Sequence, residues 1–137
     1  MKKIVFLCTG NSCRSQMAEG FARALLRGQD AIVDSAGVQA DGLNPLATKV
    51  MSEVGIDIQS QKSKTIKSLD LNQFELIVTV CDNARDNCPL FNHRKIIHKN
   101  FDDPAVSEGP IEEQLVVYRK IRDQIEIMVK AVIKDMI

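Results

Sequence analysis

The sequence predicts an α/β fold: a single domain with an open, parallel, four-stranded sheet and helices on both of its faces. Short runs rich in β-branched residues alternate along the chain with amphipathic stretches, which is the pattern of βαβ units. The length of 137 residues suits one catalytic domain over residues 1–137. Hydrophobic residues make up 45% of the chain and charged residues 26%, which is a globular composition.

The elements of this fold follow from apolar periodicity and from turn residues. We expect strands over residues 2–8, 31–35, 75–80 and 95–98, and helices over residues 15–27, 45–54 and 112–136. Asn44 is a good N-cap for the second of these helices, with Pro45 at its first position. Residues 59–73 should form a loop with one helical turn. In the last helix the apolar residues from Leu115 to Met136 form one stripe, which predicts core packing.

Charge and composition exclude several classes of function. Eighteen basic and eighteen acidic residues give a formal net charge of zero, so nucleic acid is not an expected partner. No stretch approaches the length of a membrane span, and the apolar run after Lys3 is too short for a signal peptide. We therefore expect a cytoplasmic monomer with no membrane partner. In a reducing compartment, four cysteines indicate chemistry rather than structural bridges.

The loop between the first strand and the first helix is the strongest functional signal. It is Cys8-Thr9-Gly10-Asn11-Ser12-Cys13-Arg14-Ser15. A loop in this position gathers backbone N–H groups at the positive end of a helix, so residues 9–15 should bind an oxyanion. The planar fork of Arg14 matches two oxygens of a tetrahedral oxyanion. Gly10 and Asn11 readily adopt the left-handed conformations that such a loop requires.

Cys8 is the candidate nucleophile in this loop. The N–H groups and the helix end should favour its thiolate, which is the reactive form. Ser15 offers a hydroxyl that could hydrogen-bond this sulfur. A structural role for Cys8 is the weaker alternative, because the strand, the loop residues and the helix all fit an anion site. Cys13 is expected to be a packed, small side chain.

A second pair of cysteines follows the third strand. Cys81 should lie at the same sheet edge as Cys8, because the carboxyl ends of parallel strands meet there. If the intervening segment is helical, Cys81 and Cys88 lie roughly 10 Å apart along its axis. A disulfide needs Cα atoms within about 7 Å, so the pair could bond only after the segment unwinds. The residues alone leave open a redox pair, inert packing, or half of a zinc site with His93 and His98.

The loop after the fourth strand contains a candidate acid. Two adjacent carboxylates, Asp102 and Asp103, stand before Pro104, and such a pair is most often only a turn. The functional alternative is that Asp103 is a general acid that protonates a leaving oxygen. Asp102 would then support it.

Together these motifs resemble the thioredoxin-coupled arsenate reductases, which share the fold of the low-molecular-weight tyrosine phosphatases. The resemblance covers nearly the whole chain in order, through residues 8–20, 34–37, 54–58, 78–81 and 101–105. It implies the reduction of arsenate to arsenite, with thioredoxin as the reductant. Cys8 would attack arsenic and Asp103 would protonate the departing oxygen. Cys81 and then Cys88 would carry a disulfide relay, with no metal or organic cofactor in catalysis.

The alternative is a low-molecular-weight tyrosine phosphatase or another phosphate monoester hydrolase. Cys8, Arg14 and Asp103 would serve it through a phospho-enzyme. Such phosphatases typically have an aromatic residue after the Asp-Pro pair, and here that residue is Ala105. They also do not need the second pair of cysteines. We therefore expect reduction as the main activity, beside weak phosphatase activity.

The resemblance also points to a position where some relatives bind potassium. Some arsenate reductases of this family hold a potassium ion beside the anion-binding loop, and Asn11, Glu19 and Ser35 match three of the positions that serve it. Where the family has an acidic residue, this chain has Lys64, which cannot ligate a cation. Lys64 would either point to solvent or place its ammonium in the cation's position near Glu19. In both cases we expect no bound metal.

Overall fold

The computed structural model of the chain describes residues 2–87 and 95–136. Its strands are β1 (Lys2–Cys8), β2 (Ala31–Gly37), β3 (Leu76–Thr79) and β4 (Lys95–His98). Its helices are α1 (Arg14–Leu25), α2 (Pro45–Glu53), α3 (Asp82–Asn87) and α4 (Ile111–Met136). Short 3₁₀ turns span Ile66–Ser68, Leu71–Gln73 and Pro104–Val106. Cys88 and His93 lie outside the described residues.

The four strands form one parallel sheet in the order β2-β1-β3-β4. The register pairs Cys8 with Gly37 across β1 and β2, and Leu7 with Thr79 across β1 and β3. Thr79 in turn pairs with His98 of β4. The carboxyl ends of the strands therefore lie level at one edge of the sheet. This confirms the open, parallel, four-stranded sheet that the sequence predicts.

The core lies on both sides of β1. Ile4, Val5, Phe6 and Leu7 are all fully buried. Because successive strand residues point to opposite faces, four buried residues in a row mean that both faces of the sheet are covered here. The apolar stripe of α4 is also buried from Leu115 to Val132, which confirms its predicted packing role. Each large side chain buried in this way stabilises the fold by about 1.5–3 kcal/mol.

Local signals set most element boundaries, and tertiary pairing moves the rest. Asn44 caps α2 as predicted, since its side chain accepts from the N–H groups of Leu46 and Ala47. β2 runs to Gly37, two residues past the predicted end, because Gly37 still pairs with Cys8. The segment 59–73 has two 3₁₀ turns instead of one helical turn. No helix in the described ranges is both long and apolar enough to cross a membrane.

Candidate active site

The anion loop, residues 8–15, is wrapped by the segment that continues from β2. Backbone N–H groups of that segment bond the loop's carbonyls at 2.8–3.1 Å: Val38 to Cys8, Gln39 to Thr9, Asp41 to Gly10 and Asn44 to Ser12. Because these carbonyls face outward, the N–H groups of the loop are turned toward its centre. Such a concave set of N–H groups binds anions.

Two backbone features let the loop pack so tightly against β2. A Cβ atom at Gly37 would lie 2.6 Å from the Thr9 carbonyl oxygen and 2.6 Å from the Asn11 nitrogen, so no larger residue fits there. Asn11 has a φ of +46°, in the left-handed region. Asparagine tolerates this region better than most residues do. The expectation of a left-handed conformation is confirmed for Asn11 and is wrong for Gly10, whose φ is not positive. Gly10 is instead needed for space, because a Cβ atom there would collide with the carboxylate of Asp41.

The buried side chain of Asn11 ties the loop to its surroundings. Its Nδ2 donates to Ser15 Oγ at 2.8 Å and to Ser35 Oγ at 2.9 Å. Its Oδ1 accepts from the backbone N–H of Lys64 at 2.8 Å and from Gln16 Nε2 at 3.1 Å. One fully buried amide thus connects β2, α1 and the segment after α2. Buried networks of this kind rigidify a site when every member is satisfied.

The Cys8 sulfur and the Ser15 hydroxyl are hydrogen-bond partners. The Sγ and Oγ atoms lie 2.7 Å apart. Because Asn11 donates to the same Ser15 oxygen, the hydroxyl hydrogen of Ser15 remains for the sulfur. A donor at this distance is the partner that a thiolate requires. Cys8 is itself only 2% exposed and reaches solvent through the pocket above the loop.

This pocket has a volume of about 120 Å³. The anion loop forms its floor, and Asp41, Asp103 and Ala105 form its walls. Arg14 also lines it and is held from behind, since its Nη1 donates to the Phe101 carbonyl at 2.9 Å. The structure thus brings the predicted nucleophile, the predicted arginine and the predicted acid to one small cavity.

Asp103 lines the same pocket as the loop residues. One oxygen accepts from the N–H of Ala105 at 2.9 Å, which places Asp103 as the N-cap of the 3₁₀ turn Pro104–Val106. The other oxygen lies 3.7 Å from Nη2 of Arg14. The side chain is 38% exposed, so this carboxyl can exchange protons with solvent.

Cys81 lies beside the same loop. Its sulfur is 3.3 Å from Thr9 Oγ1 and accepts from the N–H of Ala84 at 3.3 Å. Asn83 Nδ2 donates to Thr9 Oγ1, so the Thr9 hydrogen remains for the Cys81 sulfur. The prediction that Cys8 and Cys81 share one sheet edge is therefore confirmed, although they are far apart in sequence.

Residues 3–136 match the family of low molecular weight phosphotyrosine protein phosphatases. The chain belongs to this family. An arsenate reductase of Bacillus subtilis (strain 168) is 53% identical over 125 residues, which are 90% of this chain and 89% of the relative. A solved arsenate reductase in its oxidized state is 32% identical, with a TM-score of 0.84 over 100% of both chains.

The solved low molecular weight protein tyrosine phosphatase from T. tengcongensis is 27% identical to this member of the family. Its TM-score is 0.82, over 98% of this chain and 99% of the other. Both branches of the predicted resemblance, to arsenate reductases and to the phosphatase fold, are therefore confirmed.

Cys13 also lies in this site, but its thiol is held in the neutral form. Burial raises the pKa of the Cys13 thiol far above its ordinary value, and the charges of Asp103 and Cys8 raise it further, whereas Arg14 lowers it. Cys13 therefore stays a neutral thiol. The prediction of a packed, small side chain is confirmed, and Cys13 lines the pocket without being able to ionise there.

The solvent-exposed alternative for Lys64 is wrong. Its Nζ donates to Asp34 Oδ1 at 2.6 Å, to the Ser35 carbonyl at 3.1 Å and to the Lys62 carbonyl at 3.3 Å. The side chain folds inward because a carboxylate and two carbonyls converge there. Glu19 lies on the other side of Ser35, whose hydroxyl donates to it at 2.6 Å. Whether this ammonium replaces a cation stays a prediction.

Sequence reasoning missed two polar residues near the site. Asp41 lines the pocket, yet its place in a turn before Gly42 gave no signal of that. His98 has both ring nitrogens bonded, to Thr79 and to Asp82, whereas the sequence offered it only as a possible zinc ligand. Its position at the carboxyl end of β4 was the available signal. Within residues 2–87 and 95–136, no cluster of three or more His, Cys, Asp or Glu side chains suits a metal ion.

Proposed function

We propose that this protein is an arsenate reductase that uses Cys8 as its nucleophile. The observation that carries the proposal is the second sulfur beside the anion loop, where Thr9 contacts Cys81 at 3.3 Å. Hydrolysis of a phosphate ester needs one sulfur nucleophile. Reduction of an oxyanion by two electrons needs two thiols that end as a disulfide. The site contains both.

In the first step the loop amides and Arg14 hold arsenate in the pocket. The Cys8 thiolate attacks arsenic and forms a sulfur–arsenic bond. An arsenic–oxygen bond breaks, and Asp103 gives its proton to the departing oxygen, which leaves as water. The exposed side of Asp103 then lets it take a proton from solvent again. Preorganised donors around the oxyanion supply most of the stabilisation in such a step.

In the second step the Cys81 thiolate attacks the sulfur of Cys8. A disulfide forms and the sulfur–arsenic bond breaks, and its electron pair stays on arsenic. Arsenic is thereby reduced from As(V) to As(III) and leaves as arsenite, while the two cysteines are oxidised. Cys88 then attacks Cys81 and frees Cys8, and thioredoxin reduces the final Cys81–Cys88 bond. The roles of Cys88 and of thioredoxin rest on the resemblance.

Relatives support a redox cycle. Curated relatives at 53% and 50% identity are named arsenate reductase. Solved arsenate reductases at 32–33% identity are described in reduced, intermediate and oxidized states. A protein that is found in these states is itself oxidised and reduced during turnover. We infer the same for this chain from the placement of its two described redox cysteines.

Phosphatase activity is the second candidate, because the family and the trio of Cys8, Arg14 and Asp103 favour it. The wall of the pocket argues for a slow reaction. Ala105 stands at the position where an aromatic ring would stack on an aryl substrate, and no aromatic side chain is among the described residues that line the pocket. We therefore expect hydrolysis to be a minor activity.

A coupled assay tests the proposal. Purified protein is supplied with thioredoxin, thioredoxin reductase and NADPH, and NADPH oxidation is recorded with and without arsenate. We expect arsenate-dependent oxidation, and we expect Cys81→Ser to abolish it while aryl phosphate hydrolysis continues. Hydrolysis of an aryl phosphate without any arsenate-dependent oxidation would instead identify a phosphatase.

A further inference from the structure

We propose that His98 is a positioning residue for the second sulfur of the reaction. It anchors the first residue of α3, Asp82, and thereby holds Cys81 against the anion loop while the rest of α3 changes shape. The inference rests on the proposed function, because it concerns the step in which Cys81 attacks Cys8. Its evidence is a set of hydrogen bonds made by His98 and Asp82, which have no role in the mechanism proposed above.

His98 is fixed at both ring nitrogens. Its Nδ1 lies 2.7 Å from Oγ1 of Thr79, which is fully buried on β3. Its Nε2 lies 2.8 Å from Oδ1 of Asp82. With the Thr79 hydroxyl donating to Nδ1, the proton of a neutral ring sits on Nε2 and is donated to the carboxylate. The ring therefore joins the rigid sheet to the start of α3.

Asp82 is held twice from the same side. Besides the bond from His98, its backbone N–H donates to Oδ1 of Asn100 at 3.1 Å. His98 and Asn100 both belong to the end of β4 and the residues that follow it. Because Asp82 is the neighbour of Cys81, the backbone at Cys81 cannot swing outward unless both bonds break. Arg85 also faces this carboxylate, with Nη1 at 3.6 Å.

The anchor acts on the Cys81 sulfur through the first turn of α3. The N–H of Ala84 donates to that sulfur at 3.3 Å, and Ala84 lies two residues after Asp82. Fixing Asp82 fixes the direction of this N–H. A hydrogen bond to the sulfur stabilises its thiolate form, which is the form that attacks.

The second turn of α3 has no comparable attachment in the described part of the chain. Asp86 bonds Arg85 beside it, and Asn87 bonds Asn83 within the same helix. These residues are exposed, whereas Ala84 is buried. The short helix is thus divided into an anchored first turn and a second turn that can open at low cost. Such a division lets the second turn of α3 rearrange while Cys81 keeps its position beside the anion loop.

The test measures arsenite formed in a single turnover without thioredoxin, which reports the attack by Cys81. We expect Asp82→Ala and His98→Ala to slow this step by about five- to tenfold, the effect of losing one hydrogen bond of ordinary net strength at a solvent-exposed carboxylate. Asp82→Asn, which keeps the acceptor oxygen, should retain most of the rate. Asp86→Ala is the matched control in the same helix and should leave the rate unchanged. Aryl phosphate hydrolysis should be unaffected in all four variants.

Amide hydrogen exchange over residues 82–84 provides a readout that does not need turnover. We expect faster exchange there in Asp82→Ala and His98→Ala than in Asp86→Ala. If the parent protein forms no arsenite, the proposed function fails. The exchange data still show whether His98 and Asp82 hold the first turn of α3 in place. Unchanged exchange in both anchor variants, or an equal loss of hydrolysis and reduction, would overturn the inference.

Discussion

The sulfurs of Cys8 and Cys81 have similar hydrogen-bond partners, but the partners of Cys8 are buried and those of Cys81 are closer to solvent. Each is paired with a hydroxyl whose oxygen accepts from an asparagine amide: Ser15 and Asn11 serve Cys8, and Thr9 and Asn83 serve Cys81. In the anion loop the asparagine is fully buried. In α3 it is exposed to solvent. The chemistry at the two sulfurs is therefore alike, whereas the free energy needed to disturb each site differs.

This difference separates two tasks. An oxyanion site gains from donors that are already in place, because no reorganisation then opposes the reaction. A cysteine that passes a disulfide onward needs a backbone that can rearrange, and a six-residue helix with one buried residue meets that need. Under the proposed mechanism, rigidity is concentrated where the anion would bind, and the short helix α3 can open where the disulfide would be passed on. The predictions below break or sharpen this contrast.

Cys8→Ser should abolish both arsenate reduction and aryl phosphate hydrolysis, each by more than about a thousandfold, because a hydroxyl in this loop remains un-ionised. The two assays are run on the same preparation, with circular dichroism as the check on folding. Turnover of either substrate by the folded variant would remove Cys8 from the nucleophile role.

Cys88→Ser should separate the two activities. Hydrolysis needs only the anion loop and its acid, so it should continue at the parent rate. Arsenate reduction should stop after one turnover, and mass spectrometry should find one Cys8–Cys81 disulfide per chain. Continued cycling with thioredoxin in this variant would show that Cys88 takes no part.

Replacing the two asparagines should show the contrast in stability directly. Asn11→Ala leaves several buried partners unsatisfied and should lower the free energy of unfolding by about 2–4 kcal/mol. Asn83→Ala removes exposed hydrogen bonds and should cost less than about 0.5 kcal/mol. Urea denaturation of both variants measures the two values. Equal losses would mean that the anion loop is no more rigid than α3.

Cys13 should remain unreactive while Cys8 is alkylated. Its raised pKa keeps the thiol neutral through mildly alkaline pH, and iodoacetamide reacts with the thiolate. Peptide mapping after treatment at about pH 9 should therefore find native Cys13 unmodified, whereas protein unfolded in urea should be modified there. Alkylation of Cys13 at the same rate in both states would contradict its neutral, packed state.

Potassium should have the smallest effect. The ammonium of Lys64 already neutralises Asp34, so potassium and sodium salts of equal ionic strength should give the same thermal stability and the same KM for arsenate. Lys64→Asp is the matched variant, since two neighbouring carboxylates would then favour a bound cation. A potassium-specific gain in the parent protein would show that a cation site persists beside Lys64.

Local signals in the sequence were enough for the anion loop but not for the contacts around it. An apolar run that ends at Cys8 and a loop with Gly10 and Asn11 predict a strand and a tight loop without any distant partner, and the structure confirms both. The cap at Asn44 is equally local. In each case the interactions that decide the structure lie within a few residues of one another.

The contacts that escaped prediction join residues far apart in the chain. Lys64 meets Asp34 across 30 positions, and His98 meets Asp82 across 16. By composition alone, a long polar side chain is expected to be solvated. The direction in which such a side chain points depends on which strand ends lie beside it. The order of the strands in the sheet determines those neighbours, and the order is not visible in the sequence. The extension of β2 to Gly37 has the same origin, since pairing with Cys8 outweighs the poor strand propensity of glycine.

The donor role of Ser15 limits the paths by which a proton can leave Cys8, the proposed nucleophile. Asn11 donates to one lone pair of the Ser15 oxygen, and a serine hydroxyl is too weak a base to keep a thiol proton, so Ser15 serves the Cys8 thiolate only as a donor. When the thiol ionises, its proton must therefore leave through the pocket, past Asp41 or Asp103. Departure of the proton and arrival of the anion consequently share one opening of the protein.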